Sequence, residues 1–354
     1  MKKSILLVDD SALMRRAISD IINTDPAFEV KDVCRDGLSA YEKLIKKQYD
    51  GVVLDVNMPI MNGLELLERL QLEHIQATVI MVSTATTKDA DVTIRAMELG
   101  AVDFVTKPMN IIEAKGLAFR KSLLDVLNAV FSTKQLISEK AFTVIPRRVK
   151  TRTVSKSFPK NGVKLVALAC STGGPKALAE MIPMLPGNLN APIVLVQHMP
   201  AGFTKSMADR LDEKSKIRVK EAEDGEVLQN GCVYVAPGGK HLEIIKNVNG
   251  QHKVQLNSLP PIGGLRPCAN ITYDSLCTTD YHEIVCVILT GMGADGTNGI
   301  LTLERKKPVY VIAQDAQSCV VYGMPKAIYE AGVVDEVVSI SNVAKAITTR
   351  VGVE

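Results

Sequence analysis

Tryptophan is missing from this 354-residue chain, and aromatic residues make up only 4% of it. One common anchor for protein interfaces is therefore absent. Charge of either sign is nearly balanced. A net +3 is too small to make nucleic acid or an acidic membrane surface the main partner. The 7 cysteines are odd in number and none forms a C-x-x-C pair. That argues against a disulfide framework or a cysteine zinc site and suits a reducing cytoplasm. No apolar run is long enough to span a bilayer, so no membrane insertion is expected. Met1-Lys2-Lys3 and Ile5–Val8 begin like a secretory leader, but Asp9-Asp10 cuts the apolar run too early for one.

What remains is a globular composition, 46% hydrophobic and 23% charged, in a chain long enough for two domains. Over residues 1–110, short apolar runs (Ile5–Val8, Gly51–Leu54, Thr78–Val82, Asp103–Thr106) alternate with amphipathic helical patterns. This alternation predicts a parallel sheet with helices on both faces. Residues 111–131 read as a last helix. Residues 146–162, PRRVKTRTVSKSFPKNG, are basic and aperiodic, as expected of a solvated linker. A nucleic-acid arm would want more aromatic residues. From Val163 the alternation restarts, with strands at 163–169, 192–197, 231–236, 284–290 and 308–313. It predicts a second α/β domain, with a hairpin around Asn249-Gly250. The expected boundaries are 1–125, a linker over 126–161, and 162–350.

Ligands of parallel sheets gather at the carboxyl ends of the strands. Asp9, Asp10 and Asp55 stand at such ends, and three converging carboxylates need a cation. Mg²⁺ fits, because it takes hard oxygen ligands and keeps waters that a phosphate can replace. Ser83 and Lys107 are placed to meet the same point. In the second half, Ser171 follows a strand and opens a Gly-Gly-Pro turn into a helix. That placement exposes a hydroxyl beside free backbone N–H groups, although an N-cap serine or a phosphate-binding turn would look similar. His198 and Asp295 also follow strands, so nucleophile, base and orienting carboxylate could meet on one edge. Asp315 is a rival for the third position, and His241 could line the cleft.

ILLVDDSALMRR, VVLDVNMPIMNGLELL, MVST and GAVDFVTKP resemble a response-regulator receiver domain, which is flavodoxin-like. The resemblance implies phosphorylation of Asp55 by a chemotaxis histidine kinase. It implies Mg²⁺ held by Asp10, Asp55 and the Asn57 carbonyl with Asp9 in support. It also implies phosphoryl sensing by Ser83 and Lys107, with Phe104 at the aromatic switch position. CSTGGPKAL, VLVQHMPAGFTKSMADRL, VYVAPGGKHLEI, ILTGMGADGTNGI and AQDAQSCVVYGMPKA resemble the chemotaxis protein-glutamate methylesterase, a Rossmann-like doubly wound α/β domain. Receiver and esterase in this order are similar to the CheB-type architecture.

That resemblance implies a cytoplasmic enzyme that hydrolyses glutamyl methyl esters, and deamidates glutamines, on methyl-accepting chemoreceptors. It assigns Ser171 as nucleophile, His198 as base, Asp295 as orienter and the N–H groups of Thr172 and Met292 as the oxyanion hole. No cofactor is needed for the hydrolysis. The receiver is expected to cover the cleft until phosphate loosens it. Three departures stand out. Cys170 replaces a usual alanine and is expected to crowd the serine turn slightly. Asn57 replaces a common glutamate, and Arg266-Pro267-Cys268-Ala269-Asn270 replaces R-P-S-V-D.

Overall fold

The computed structural model describes residues 2–84, 86–108, 110–114, 116–139 and 162–353. The basic segment expected to be a linker lies almost wholly outside the described residues. The chain divides into two compact units, Met1–Ser132 and Thr133–Glu354.

The first unit is built on β1 (Lys3–Val8), β2 (Phe28–Cys34), β3 (Gly51–Asp55), β4 (Val79–Ser83) and β5 (Asp103–Thr106). They pair in parallel in the order β2-β1-β3-β4-β5. Ile5, Leu7, Val53, Ile80 and Val105 meet Met14, Ile18, Ile22, Leu123 and Leu127 in one core. The alternating residues Leu6, Leu54 and Met81 are equally buried on the other face. A sheet covered on both faces needs continuous apolar strands, which is why β3 and β4 are buried throughout.

β2 was not among the strands expected. It lies at the sheet edge, and Glu29, Lys31 and Asp32 mask its apolar alternation. The last helix is two segments, Ile111–Ala114 and Leu117–Glu139. The second passes the boundary expected at residue 125, and Leu127, Val130 and Phe131 are buried in the first unit's core. The first unit therefore extends through these residues, because their apolar side chains complete its sheet face.

The second unit holds β6 (Lys164–Cys170), β7 (Ile193–Gln197), β8 (Arg218–Glu221), β9 (Cys232–Val235), β10 (His241–Lys246), β11 (His252–Asn257), β12 (Glu283–Ile288), β13 (Val309–Gln314) and β14 (Glu336–Val338). A parallel sheet runs β14-β13-β12-β6-β7-β9-β8, and β10-β11 form the expected antiparallel hairpin. Strand order reverses at β6, which has β12 on one side and β7 on the other. Such a switch point opens a crevice at the carboxyl edge. β8 and β14, short and charged, were not foreseen from the sequence; both are edge strands.

Helix Ala269–Ser275 was also not foreseen. Its Tyr273 is fully buried, and the phenol donates to the carbonyls of Ala167 on β6 (3.0 Å) and Val287 on β12 (3.4 Å). One side chain thus ties this helix to the two strands flanking the switch point. Removing a buried donor costs about 1–2 kcal/mol. Tyr273→Phe should lower unfolding free energy by about that amount in urea titrations. An unchanged midpoint would show that the phenol contributes nothing to this packing.

Candidate active site and phosphoacceptor site

Each unit carries one cluster at the carboxyl edge of its sheet. In the first, Asp9 follows β1 and Asp55 closes β3, at the β1/β3 reversal of strand order. Carboxylate oxygens of Asp9, Asp10 and Asp55 lie within 4.8 Å of one another. Asp9 and Asp55 are buried and Asp10 is exposed. Lys107 Nζ stands 2.6 Å from Asp55 Oδ2 and 2.8 Å from Asp9 Oδ2. The other Asp55 oxygen accepts from the Val56 N–H at 2.8 Å.

Burial pushes the Asp55 carboxyl up to about 6, against the pull of Lys107. Desolvation disfavours the Lys107 charge as well, but Asp55 and Asp9 outweigh it and hold the ammonium above its usual range. Three hard oxygens with a single lysine between them suit Mg²⁺. The backbone N–H of Lys107 donates to the Ser83 carbonyl at 2.7 Å, which joins the two expected sensing residues. The Ser83 hydroxyl accepts from Thr93 at 2.6 Å. Phe104 is buried on β5, and the Asn57 amide donates to Asp89 at 2.8 Å.

In the second unit, Ser171 follows β6. Its N–H donates to the Thr290 carbonyl at 3.0 Å, and its carbonyl accepts from Gly174 at 2.7 Å. Gly173 has φ 77°, which suits glycine, and a Cβ there would lie 2.5 Å from Val320. Pro175 stands in the first turn of the helix Gly174–Met181, where its missing donor costs nothing. A Cβ on Gly291 would lie 2.8 Å from the Ser171 Cβ, so only glycine lets the loop after β12 come this close. The backbone N–H groups of Thr172 and Met292 have no acceptor among the described residues.

His198 follows β7, and its Nε2 lies 2.8 Å from Asp295 Oδ2. Asp295 also accepts from the N–H groups of Ala269 (2.6 Å), Asn270 (3.0 Å) and Gly296 (2.9 Å), and from the Cys268 thiol (3.2 Å). Burial alone would raise its carboxyl. His198 and the backbone donors outweigh that and bring it down to about 2.

Asp315, the rival, instead accepts from Ser318 N (2.9 Å) and Oγ (2.6 Å) in its own turn. His241 is fully buried against the Pro260 carbonyl rather than lining an open cleft. The fifth position of the altered R-P-C-A-N run is structural, since Asn270 Oδ1 accepts from Gly296 and Gly299 at the start of the helix Thr297–Lys306. Cys170 is fully buried, with its thiol donating to Gln197 Oε1 at 3.0 Å. Gln197 and Thr290 were not singled out from sequence, and Cys268 was noted only as part of the altered R-P-C-A-N run. The signal available for the first two was a polar residue closing or following a buried apolar strand.

Fold and clusters together define a class: a receiver domain joined to a doubly wound α/β domain carrying a serine, a histidine and an aspartate at its switch point. Residues 166–347 match the CheB methylesterase family, and residues 5–116 match the response regulator receiver domain. The chain is 43% identical to a protein-glutamate methylesterase/protein-glutamine glutaminase of Geobacillus kaustophilus, over 98% of both chains. It is 42% identical to the protein of the same description in Bacillus subtilis, again over 98% of each. The crystal structure of the Thermotoga maritima CheB methylesterase catalytic domain superposes with a TM-score of 0.52 at 44% identity, covering 54% of this chain and all (100%) of that one. The chain belongs to the CheB methylesterase family. No helix among the described residues is long and apolar enough to cross a membrane.

The raised Asp55 carboxyl has a thermodynamic consequence. A group that binds its proton more tightly when folded stabilises the protein below its unfolded pKa, and that stability is lost as pH rises through the folded value. For Asp55 the loss falls between its usual 3.8 and about 6. Asp55→Asn should therefore stabilise the first unit by about 1–3 kcal/mol at neutral pH without Mg²⁺. The gain should vanish near pH 4. Urea titrations followed by circular dichroism at both pH values check this, and an equal gain at both would contradict it.

Proposed function

We propose that the chain is a phosphorylation-activated protein-glutamate methylesterase that also deamidates glutamines, acting on methyl-accepting chemoreceptors in the cytoplasm and serving chemotactic adaptation. The observation that carries this reading is the His198–Asp295 pair on the sheet edge that also presents Ser171. A serine hydroxyl needs a base at neutral pH. Asp295 engages Nε2 and so fixes the tautomer with its proton there, leaving Nδ1 to take the serine proton. Ser171 Oγ attacks the ester carbonyl, and the oxyanion takes hydrogen bonds from the N–H groups of Thr172 and Met292. One such donor is worth about 10²–10³ in rate. Protonated His198 hands its proton to the departing methanol. It then deprotonates a water, which attacks the acyl-serine and frees glutamate. With glutamine the leaving group is ammonia and the sequence is otherwise the same. Asp295, held near 2, stays ionised throughout and offsets the imidazolium charge.

In the receiver, Asp55 accepts a phosphoryl group from the chemotaxis histidine kinase. Asp10, Asp55 and the Asn57 carbonyl would hold Mg²⁺, with Asp9 supporting. When bound, Mg²⁺ offsets negative charge on the phosphoryl oxygens. Lys107 pairs with a phosphoryl oxygen, and Ser83, which donates to the Thr84 and Asp89 carbonyls, redirects its hydroxyl proton to the phosphoryl group while still accepting from Thr93. Phe104 follows the loop that Ser83 leads. An added anion of this kind reorganises local hydrogen bonds and biases a nearby surface between two states.

Methanol release from methylated receptor membranes tests the reading, with and without a small phosphodonor and Mg²⁺. Wild-type release should rise with phosphodonor, and the rise should vanish in Asp55→Asn. Ser171→Ala should lose activity by about 10⁴-fold or more, and Asp295→Asn by about 10³–10⁴-fold. Full activity in Ser171→Ala would overturn the mechanism and favour a non-catalytic adaptor.

A further inference from the structure

Ser171 and His198 follow adjacent strands, so something must hold the end of β6 in register with the end of β7 beyond the last ladder bonds. Cys170 and Gln197 are the final paired residues of those strands. Gln197 is buried, 1% exposed, and its side chain turns back across the strand ends. Its Nε2 donates to the Ser171 carbonyl at 3.1 Å and to the His198 carbonyl at 3.3 Å. One amide group therefore binds the backbone of both residues that must exchange a proton. Its Oε1 accepts from the Cys170 thiol at 3.0 Å.

That third contact fixes which way the amide faces. Rotating it by half a turn would set Oε1 against two carbonyl oxygens and NH₂ against a thiol that is a weak acceptor. The site is also shaped for this group: a Cβ added at Gly174 would lie 1.9 Å from Gln197 Oε1. A leucine here could fill the volume but would leave the two carbonyls without their side-chain donor.

We infer that Gln197 is a positioning residue for the hydrolysis, holding nucleophile and base at a fixed separation, and that the Cys170 thiol orients its amide. The inference rests on the assignment of Ser171 and His198 given above. It also gives Cys170 a role in this chain, where a smaller residue would leave Oε1 without that donor. Sub-ångström misplacement of reacting groups lowers turnover while leaving substrate binding largely intact; a displacement near 1 Å costs on the order of 10²-fold.

The test uses the full chain with phosphodonor and Mg²⁺, and methylated receptor membranes as substrate. Active sites are counted with a fluorophosphonate, whose phosphorus Ser171 Oγ attacks as fluoride leaves. Gln197→Leu should lower kcat per labelled site by about 10–100-fold, with KM changed less than about threefold. A residue that merely supports folding would reduce the number of labelled sites and leave kcat per site unchanged, and that result overturns the inference. Gln197→Glu keeps the shape but, when ionised, cannot donate, and should show the same loss. If Gln197→Leu does not fold, Gln197→Glu and Cys170→Ala give the same ratio, and wild-type turnover per site in both overturns the inference. Cys170→Ser, which keeps a donor, should restore what Cys170→Ala loses. If wild-type Ser171 is not labelled, the nucleophile assignment itself falls, an outcome distinct from labelled sites with unchanged turnover.

Discussion

Parallel pairing of β12, β6 and β7 is the constraint on which the rest of the second unit depends. Parallel strands bring all their carboxyl ends to one edge. The residue after β6 is Ser171, the residue after β7 is His198, and the loop after β12 carries Asp295. No single segment holds all three. The ladder delivers the strand ends, Gly291 allows one loop to press against Ser171, and the N-terminus of the helix Ala269–Ser275 holds the aspartate from behind. The receiver uses the same logic at β1 and β3, and its acidic cluster sits at the equivalent reversal of strand order.

The two buried carboxylates show how similar burial can lead to opposite shifts in proton affinity. Burial opposes ionisation of both Asp55 and Asp295. Asp295 receives three backbone N–H groups, a thiol and an imidazole, and its carboxyl falls to about 2. Asp55 receives one backbone N–H and a lysine shared with Asp9, and its carboxyl rises to about 6. A permanent anion suits a group that orients a base. A carboxylate short of donors suits a group that gains from a cation and loses its own carboxylate charge on phosphorylation. The difference lies in the number of donors aimed at each group, a property of the fold rather than of the residue type.

Much of the architecture could be read in advance because central strands of a doubly covered sheet must be apolar along their whole length. β3, β4, β6, β7 and β12 announce themselves that way. The strands that were missed, β2, β8 and β14, are all at sheet edges, where one side meets solvent and charge is tolerated. The first unit runs past the domain boundary expected at residue 125 for a related reason. Leu127, Val130 and Phe131 continue an apolar face whose partner strands lie far away in sequence.

The sequence alone marks the candidate site residues and the strand ends they follow, because strand periodicity and glycine-rich turns are local properties. It also determined that two α/β units follow one another. Only the tertiary structure decided that Asp295 rather than Asp315 meets His198, since both follow strands and only the three-dimensional course of their loops separates them. It also decided which imidazole nitrogen the aspartate takes, how many donors each carboxylate receives, and that Gln197 bridges the backbones of Ser171 and His198. Those are distances between atoms remote in sequence, and they exist only once the sheet has set them.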